Sequence, residues 1–271
     1  MIDSHQHFWN YSAEEYGWID ESMAGLRRDF LPGDLLKAMQ GAGVDRSIAV
    51  QARQSVEETA WLLKLAGEND FVAGVVGWAP LAADGLGDFL TEYGDAPKLV
   101  GLRHVVQGEA AGFLDGKAFN EGVVALDGTG LVYDVLIFER QLEEAIRFVD
   151  RHPRQSFVLD HVAKPRIAEG ILEPWREQIR ELGQRSNVVC KVSGMVTEAG
   201  SGWTEAMLWP YLDGVVEAFG VERLMVGSDW PVCLARCEYG QWWETVRHYF
   251  AGFSHEEREA IFGGTAAAVY L

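Results

Sequence analysis

Apolar runs of four to eight residues, rich in β-branched side chains, recur along the whole chain, and each is followed by an amphipathic, helix-like stretch. This alternation constrains the fold more than any other feature. It predicts strands near Ile2–Phe8, Arg46–Gln51, Val72–Ala79, Leu99–Val106, Leu131–Ile137, Ser156–Val162, Asn187–Ser193 and Arg223–Asp229. Helices are expected between them over Gly33–Gln40, Val56–Gly67, Gln141–Arg151, Pro174–Leu182 and Met207–Phe219. Ser55 with Glu58, and Ser254 with Glu257, have capping-box spacing, and Gly220 is placed to close a helix. The break at Ile261–Thr265 reads as a helix end followed by a new N-cap at Thr265. Eight strand–helix repeats without a compositional break predict one parallel α/β domain over residues 1–271. No Gly-x-Gly-x-x-Gly turn follows the first strand and no Walker-type loop occurs, which argues against an open nucleotide-binding sheet. The length of 271 residues suits a closed (β/α)8 TIM-type barrel.

Hydrophobic residues make up 48% of the chain, enough for a large core. No run approaches the roughly 20 apolar residues of a membrane span, and the opening Met1-Ile2-Asp3-Ser4-His5 lacks the form of a signal peptide. The three cysteines, Cys190, Cys233 and Cys237, do not form a disulfide framework, and Cys233-x-x-x-Cys237 has no second pair to complete a zinc site. The expected location is the cytoplasm. With 41 acidic against 23 basic residues the formal net charge is −18, so nucleic acid and anionic membrane are not expected partners. The oligomeric state is not legible.

In a barrel of this type, chemistry collects at the C-terminal ends of the strands. His5 and His7 on strand one, His104 on strand four and His161 on strand six fall there, whereas His152, His248 and His255 are expected to face solvent. Alternate residues of a strand share a face, so the imidazoles of His5 and His7 enter the mouth together, suited to a metal ion or to a substrate oxygen. Asp229 ends strand eight, beside strand one in a closed barrel, and a carboxylate there serves as metal ligand or general base. Gln51, Arg53, Arg103, Asp134, Lys164, Lys191 and Ser193 supply polar groups at other strand ends. Arg103 and His104 point to opposite faces, and the sequence does not say which lines the pocket. Trp9, Trp78 and Trp230 offer flat apolar faces for a sugar ring.

His5-x-His7, Leu159-Asp160-His161 with Lys164-Pro165, Cys190-Lys191-Val192-Ser193-Gly194 and Gly227-Ser228-Asp229-Trp230-Pro231 together resemble the amidohydrolase superfamily. With His5-Gln6-His7-Phe8-Trp9, Val50-Gln51-Ala52-Arg53-Gln54 and Gly101-Leu102-Arg103-His104-Val105-Val106-Gln107, the likeness narrows to its sugar-lactonase branch, which is related to pyrone-dicarboxylate lactonase. That resemblance implies a hydrolase opening an aldonic acid lactone such as L-fucono- or L-rhamnono-lactone, with Asp229, His5, His7 and His161 at its centre. Gln51, Arg53, Trp78, Arg103, His104, Asp134, Lys164, Lys191 and Trp230 are then the expected substrate contacts. The two-metal members carry a lysine on strand four and a histidine on strand five. Here those strands offer Arg103, His104 and Asp134, which implies either no required metal or one divalent ion, Zn2+ first, on His5, His7 and Asp229 with help from His161. A zinc-dependent decarboxylase or amide hydrolase, and a non-catalytic sugar-acid-binding barrel, are the competing readings.

Overall fold

A computed structural model describes residues 1–271. The eight expected strands form at β1 Ile2–Gln6, β2 Arg46–Val50, β3 Val72–Gly77, β4 Leu99–His104, β5 Val132–Val135, β6 Phe157–Leu159, β7 Val188–Val192 and β8 Leu224–Val226. All neighbours pair in parallel, in chain order. The seam between β8 and β1 closes just beyond the strand ends. There Asp229 N–H donates to the His5 carbonyl at 2.8 Å and His7 N–H to the Trp230 carbonyl at 2.6 Å. A β-carbon on Gly227 would stand 2.6 Å from that of His5, so only glycine lets the two strands approach this closely. Asp3 staples the same seam, accepting from the Ser228 hydroxyl at 2.5 Å and from Tyr239 at 3.1 Å.

Two apolar layers follow from the alternation of strand side chains. The larger lies between the strands and the surrounding helices. The smaller fills the lower barrel with Ile2, Ile48, Val50, Val76, Val132, Val158 and Met225, and is plugged by Ala266 and Tyr270 of the last helix, Thr265–Tyr270. An irregularity in β1 between Asp3 and Gln6 shifts its register, so Ile2 packs in this lower core while His5 and His7 still enter the mouth above it.

Both capping boxes behave as the sequence suggests at their N-caps: Ser55 Oγ accepts from Glu58 N–H at 3.1 Å and Ser254 Oγ from Glu257 N–H at 3.2 Å. Two local expectations are corrected. The Ile261–Thr265 break is a wide π-type turn over Ala260–Gly264. Thr265 has helical φ/ψ, and its hydroxyl donates to the Glu222 carbonyl instead of capping a helix. His152 does not face solvent: it is buried, with Nε2 2.7 Å from Asn120 Oδ1 and its ring against Phe148. No helix is long and apolar enough to cross a membrane.

Candidate active site

The expected strands overshoot, and the chemistry sits where they stop. After β6, His161, Val162, Ala163 and Lys164 all have positive φ (52°, 48°, 61° and 49°), a left-handed turn made without glycine. Each such residue costs about 1–2 kcal/mol, most for branched Val162. Burial of Val162 and Ala163 and the bond from Trp175 Nε1 to the Val162 carbonyl, at 2.8 Å, hold the turn in place. Asp229 (φ 57°) adopts the same conformation after β8. Backbone strain of this kind persists where a side chain must be aimed, here at a common point above the barrel.

That point is defined by four groups. His5 Nε2 and His7 Nε2 are 3.2 Å apart. Asp229 Oδ1 lies 3.3 Å from His7 Nε2, 3.8 Å from His5 Nε2 and 4.0 Å from His161 Nε2. Each ring is fixed from behind: His7 Nδ1 on the Val50 carbonyl at 2.7 Å, His161 Nδ1 on Ser193 Oγ at 2.8 Å, and His5 Nδ1 near Asp160 Oδ1 at 3.3 Å. Burial drives the pKa of His5 well below the usual imidazole value and that of His161 down to about 4, despite nearby carboxylates. For Asp229 burial acts upward, but the imidazoles of His161, His7 and His5 outweigh it and hold the carboxyl below its ordinary range. The neutral rings of His5 and His161 therefore face an ionised carboxylate.

The donor set suits one cation. His7 Nδ1 faces a carbonyl oxygen and so carries the proton; Arg103 Nη1, a donor only, lies 3.3 Å from His5 Nε2. Two lone pairs thus oppose each other at 3.2 Å beside a carboxylate, an arrangement that a positive ion completes. Tetrahedral zinc with nitrogen and oxygen ligands at about 2.0–2.1 Å sets its donors about 3.3 Å apart. His5, His161 and Asp229 are also grouped closely enough to hold an ion, their donor atoms all lying within 4.8 Å of one another.

Above this centre a cavity of about 400 Å³ opens, lined by His7, His161 and Asp229 and by Arg53, Arg103 and Lys164. Arg103 points into the barrel, bonded to Asp160 Oδ2 at 2.9 Å and to the Gln51 carbonyl. His104, its neighbour on the opposite face of β4, points outward and stacks on Phe113. It accepts from Trp78 Nε1 at 3.3 Å and meets Glu109 at 2.8 Å. Trp78 and His104 are therefore not brought to the cavity. Nor are Gln51, Asp134 and Lys191, which sit one layer too deep and are fully buried. Trp230 packs between Phe8 and Phe30, and Trp9 is buried with its Nε1 on the Arg28 carbonyl.

The aromatic wall comes instead from Trp18, beside Glu15, on the segment after β1 that folds back over the mouth; Ala52, Gln54, Gln107, Val105, Leu136 and Val232 complete the lining. Nothing in the periodicity of that segment announces its return. Asp160 was visible only as the neighbour of His161, yet it touches His5, Arg103 and Lys191.

The profile of the family described as Amidohydrolase matches residues 2–271. The chain belongs to the amidohydrolase family. This amidohydrolase is 44% identical, over 99% of its length and 95% of the relative's, to L-fucono-1,5-lactonase of Burkholderia multivorans. It is 35% identical to L-fucono-1,5-lactonase of Burkholderia ambifaria, over 99% of this chain and 94% of that one. A crystal structure of a Burkholderia multivorans amidohydrolase with bound zinc superimposes with a TM-score of 0.96 at 44% identity, covering 99% of this chain and 98% of that one. The likeness to the sugar-lactonase branch read from the motifs is borne out.

Proposed function

We propose that this amidohydrolase hydrolyses an aldonic acid lactone, L-fucono-1,5-lactone being the first substrate to test. The observation that carries the reading is the convergence of three imidazoles, of His5, His7 and His161, on the ionised Asp229 at the floor of a cavity of about 400 Å³. Full-length relatives named as L-fucono-1,5-lactonases support it.

Asp229 takes a proton from a water placed against the lactone carbonyl carbon. The water oxygen bonds to that carbon, the bond from carbon to ring oxygen breaks, and the proton passes to the ring oxygen as the hydroxy acid forms. Negative charge on the carbonyl oxygen is met by the cations of the mouth. Lys164 is the free cation there: no carboxylate lies within 4.0 Å of its ammonium, whereas Arg53 and Arg103 are both ion-paired. His5, His7 and Asp229, with His161, would hold a single divalent ion of the zinc class, which when bound supplies Lewis-acid polarisation of the carbonyl.

Each turnover releases a proton once the product acid ionises. A pH-indicator assay over a panel of sugar lactones should therefore give turnover with L-fucono-1,5-lactone. No proton release with any sugar lactone, from folded enzyme supplied with zinc, overturns the reading.

A further inference from the structure

A second concavity, of about 750 Å³, opens at the end of the barrel opposite the mouth, where β1 and β2 begin at Ile2 and Arg46. Its walls come from the helix Tyr239–Tyr249, the short helix His255–Glu259 and the π-type turn Ala260–Gly264. Gly263 and Gly264 line it without side chains. A β-carbon on Gly263 would stand 3.3 Å from the Ile2 nitrogen, so the turn rests directly on the start of β1. Ile2, Phe262 and Ala267 make part of the wall apolar, and three arginines share the space: Arg46, Arg247 and Arg258.

None of these three guanidiniums has a carboxylate within 4.0 Å, although the chain carries 41 acidic residues against 23 basic ones. Elsewhere on the outside of the molecule, Arg147, Arg151, Arg154, Arg176, Arg180 and Arg185 each have one. Arg247 and Arg258 are held by neutral acceptors instead. Arg247 Nη2 donates to the Ala42 carbonyl, with the guanidinium 5.9 Å from the centre of the Trp243 ring, and Arg258 Nη1 donates to the Ala251 carbonyl at 3.2 Å. A carbonyl fixes the position of a guanidinium without cancelling its charge. The one carboxylate in the lining, Glu259, lies 3.7 Å from His255 Nδ1. Like charges converging in one concavity focus the field and raise the local concentration of anions, here on a chain whose net charge is −18.

We propose that this cavity binds a small organic anion carrying two or more carboxylate or phosphate groups. Guanidinium forks match either group with paired N–H donors, and three of them exceed what a single acidic group can use. An inorganic ion would fill only a small part of the space, whereas the apolar walls suit a carbon skeleton between the acidic groups. The site shares no lining residue with the mouth. It therefore stands apart from the lactone reading and can be tested without a substrate.

The experiment is isothermal titration calorimetry at constant ionic strength, with citrate, fructose 1,6-bisphosphate and inorganic sulfate as probes. At least one organic probe should bind once per chain with a Kd below about 1 mM and raise Tm by a few degrees at saturation. The tighter of the two identifies the acidic group. Arg46→Gln combined with Arg258→Gln should weaken that binding about tenfold or more without changing the Tm of the free protein, since Arg46 is exposed and Arg258 half-buried. Lys164→Gln, at the mouth, should leave it unchanged. Absence of saturable binding by either organic probe overturns the proposal, as does parent-like binding by the double arginine variant. Binding lost only in Lys164→Gln would move the anion to the mouth, and sulfate binding as tightly as the organic probes would remove the organic ligand. A dimer that the double arginine variant dissolves would assign the cavity to a second copy of the chain and equally overturn it.

Discussion

Gly194 lies so close to His161 that a methyl group on it would stand 2.7 Å from the imidazole Nδ1 and 2.8 Å from Cγ. Gly194 also has φ 65°, where a side chain adds strain of about 1–2 kcal/mol. His161 has no room to retreat, since Ser193 holds its Nδ1 and His5 packs on its ring at 4.4 Å. Gly194→Ala should therefore lower kcat about tenfold or more while reducing Tm by only a few degrees. Parent-like kcat/KM in this variant would show that the aim of His161 does not matter.

Asp229→Asn isolates the proton acceptor. Asparagine tolerates the left-handed backbone at this position (φ 57°), and the N–H to His5 that closes the seam is a backbone bond that survives the change. The variant should fold normally and lose about 10²-fold or more in kcat, the scale for removing a general base. Circular dichroism and lactone turnover measured on one preparation check both halves, and near-parent turnover would remove Asp229 from the proposed role.

What the sequence made legible follows from its periodicities. A period of two within short apolar runs located every strand, and polar residues ending those runs marked His5, His7, His161 and Asp229. The same rule fails past the strand ends, because His161, two residues beyond β6, and Asp229, three beyond β8, are aimed by left-handed backbone rather than by pleat. It also placed Lys191 and Asp134 at the mouth, although alternation gives the face of a side chain and not its depth in the barrel; both are in fact buried partners of one another. Trp18 and Glu15 were illegible because the segment after β1 has no period to read, and its return over the mouth depends on contacts such as Trp18 on Trp9 and Glu15 on Arg53.

The metal content should be at most one tightly held divalent ion per chain. One carboxylate and three imidazoles converge, and fixed cations guard the flanks where a second ion would sit: Arg103 Nη1 at 3.3 Å from His5 Nε2 and Lys191 Nζ at 3.4 Å from Nδ1. Elemental analysis after zinc loading and dialysis is the measurement. Two stoichiometric ions, with activity lost on chelation and restored by metal, would contradict it.

Glu58 gives a pH dependence away from the reaction centre. Burial raises its pKa to about 7 against an ordinary 4.5, even though it accepts N–H bonds from Arg53 and Ala52. Its folded-state pKa is the higher one, so the stability it contributes is fully present below 4.5 and is lost as pH rises through about 7. Glu58→Gln can keep both N–H bonds without titrating. Urea melts from pH 5 to 8 should show the parent losing up to about 3 kcal/mol relative to this variant. Parallel curves for the two proteins would show that Glu58 does not titrate in this range.

The cavity favours a neutral hydroxylated lactone over an aromatic dicarboxylate. A dicarboxylate needs several free cations, but Arg53 is taken by Glu15 and Glu58 and Arg103 by Asp160, which leaves Lys164 alone. Glu15 also lines the cavity and would repel a second carboxylate. Gln107 Oε1, in contrast, is a buried acceptor without a partner on the cavity wall, suited to a sugar hydroxyl. A site built to satisfy hydroxyls discriminates against analogues lacking them by up to about 10⁴-fold, because its own polar groups are left unpaired. Trp18 gives the ring or methyl face an aromatic surface, so Trp18→Ala should raise KM about tenfold with a smaller effect on kcat. The comparison is kcat/KM for L-fucono-, L-rhamnono-, L-galactono- and D-arabinono-lactones against pyrone dicarboxylate, in parent and Trp18→Ala enzyme. The sugar lactones should lead, with the variant losing most on the 6-deoxy members, whose methyl group gains most from an aromatic face. A dicarboxylate ahead of every sugar lactone would overturn the substrate class and leave the hydrolytic centre of His5, His7, His161 and Asp229 to be tested on its own.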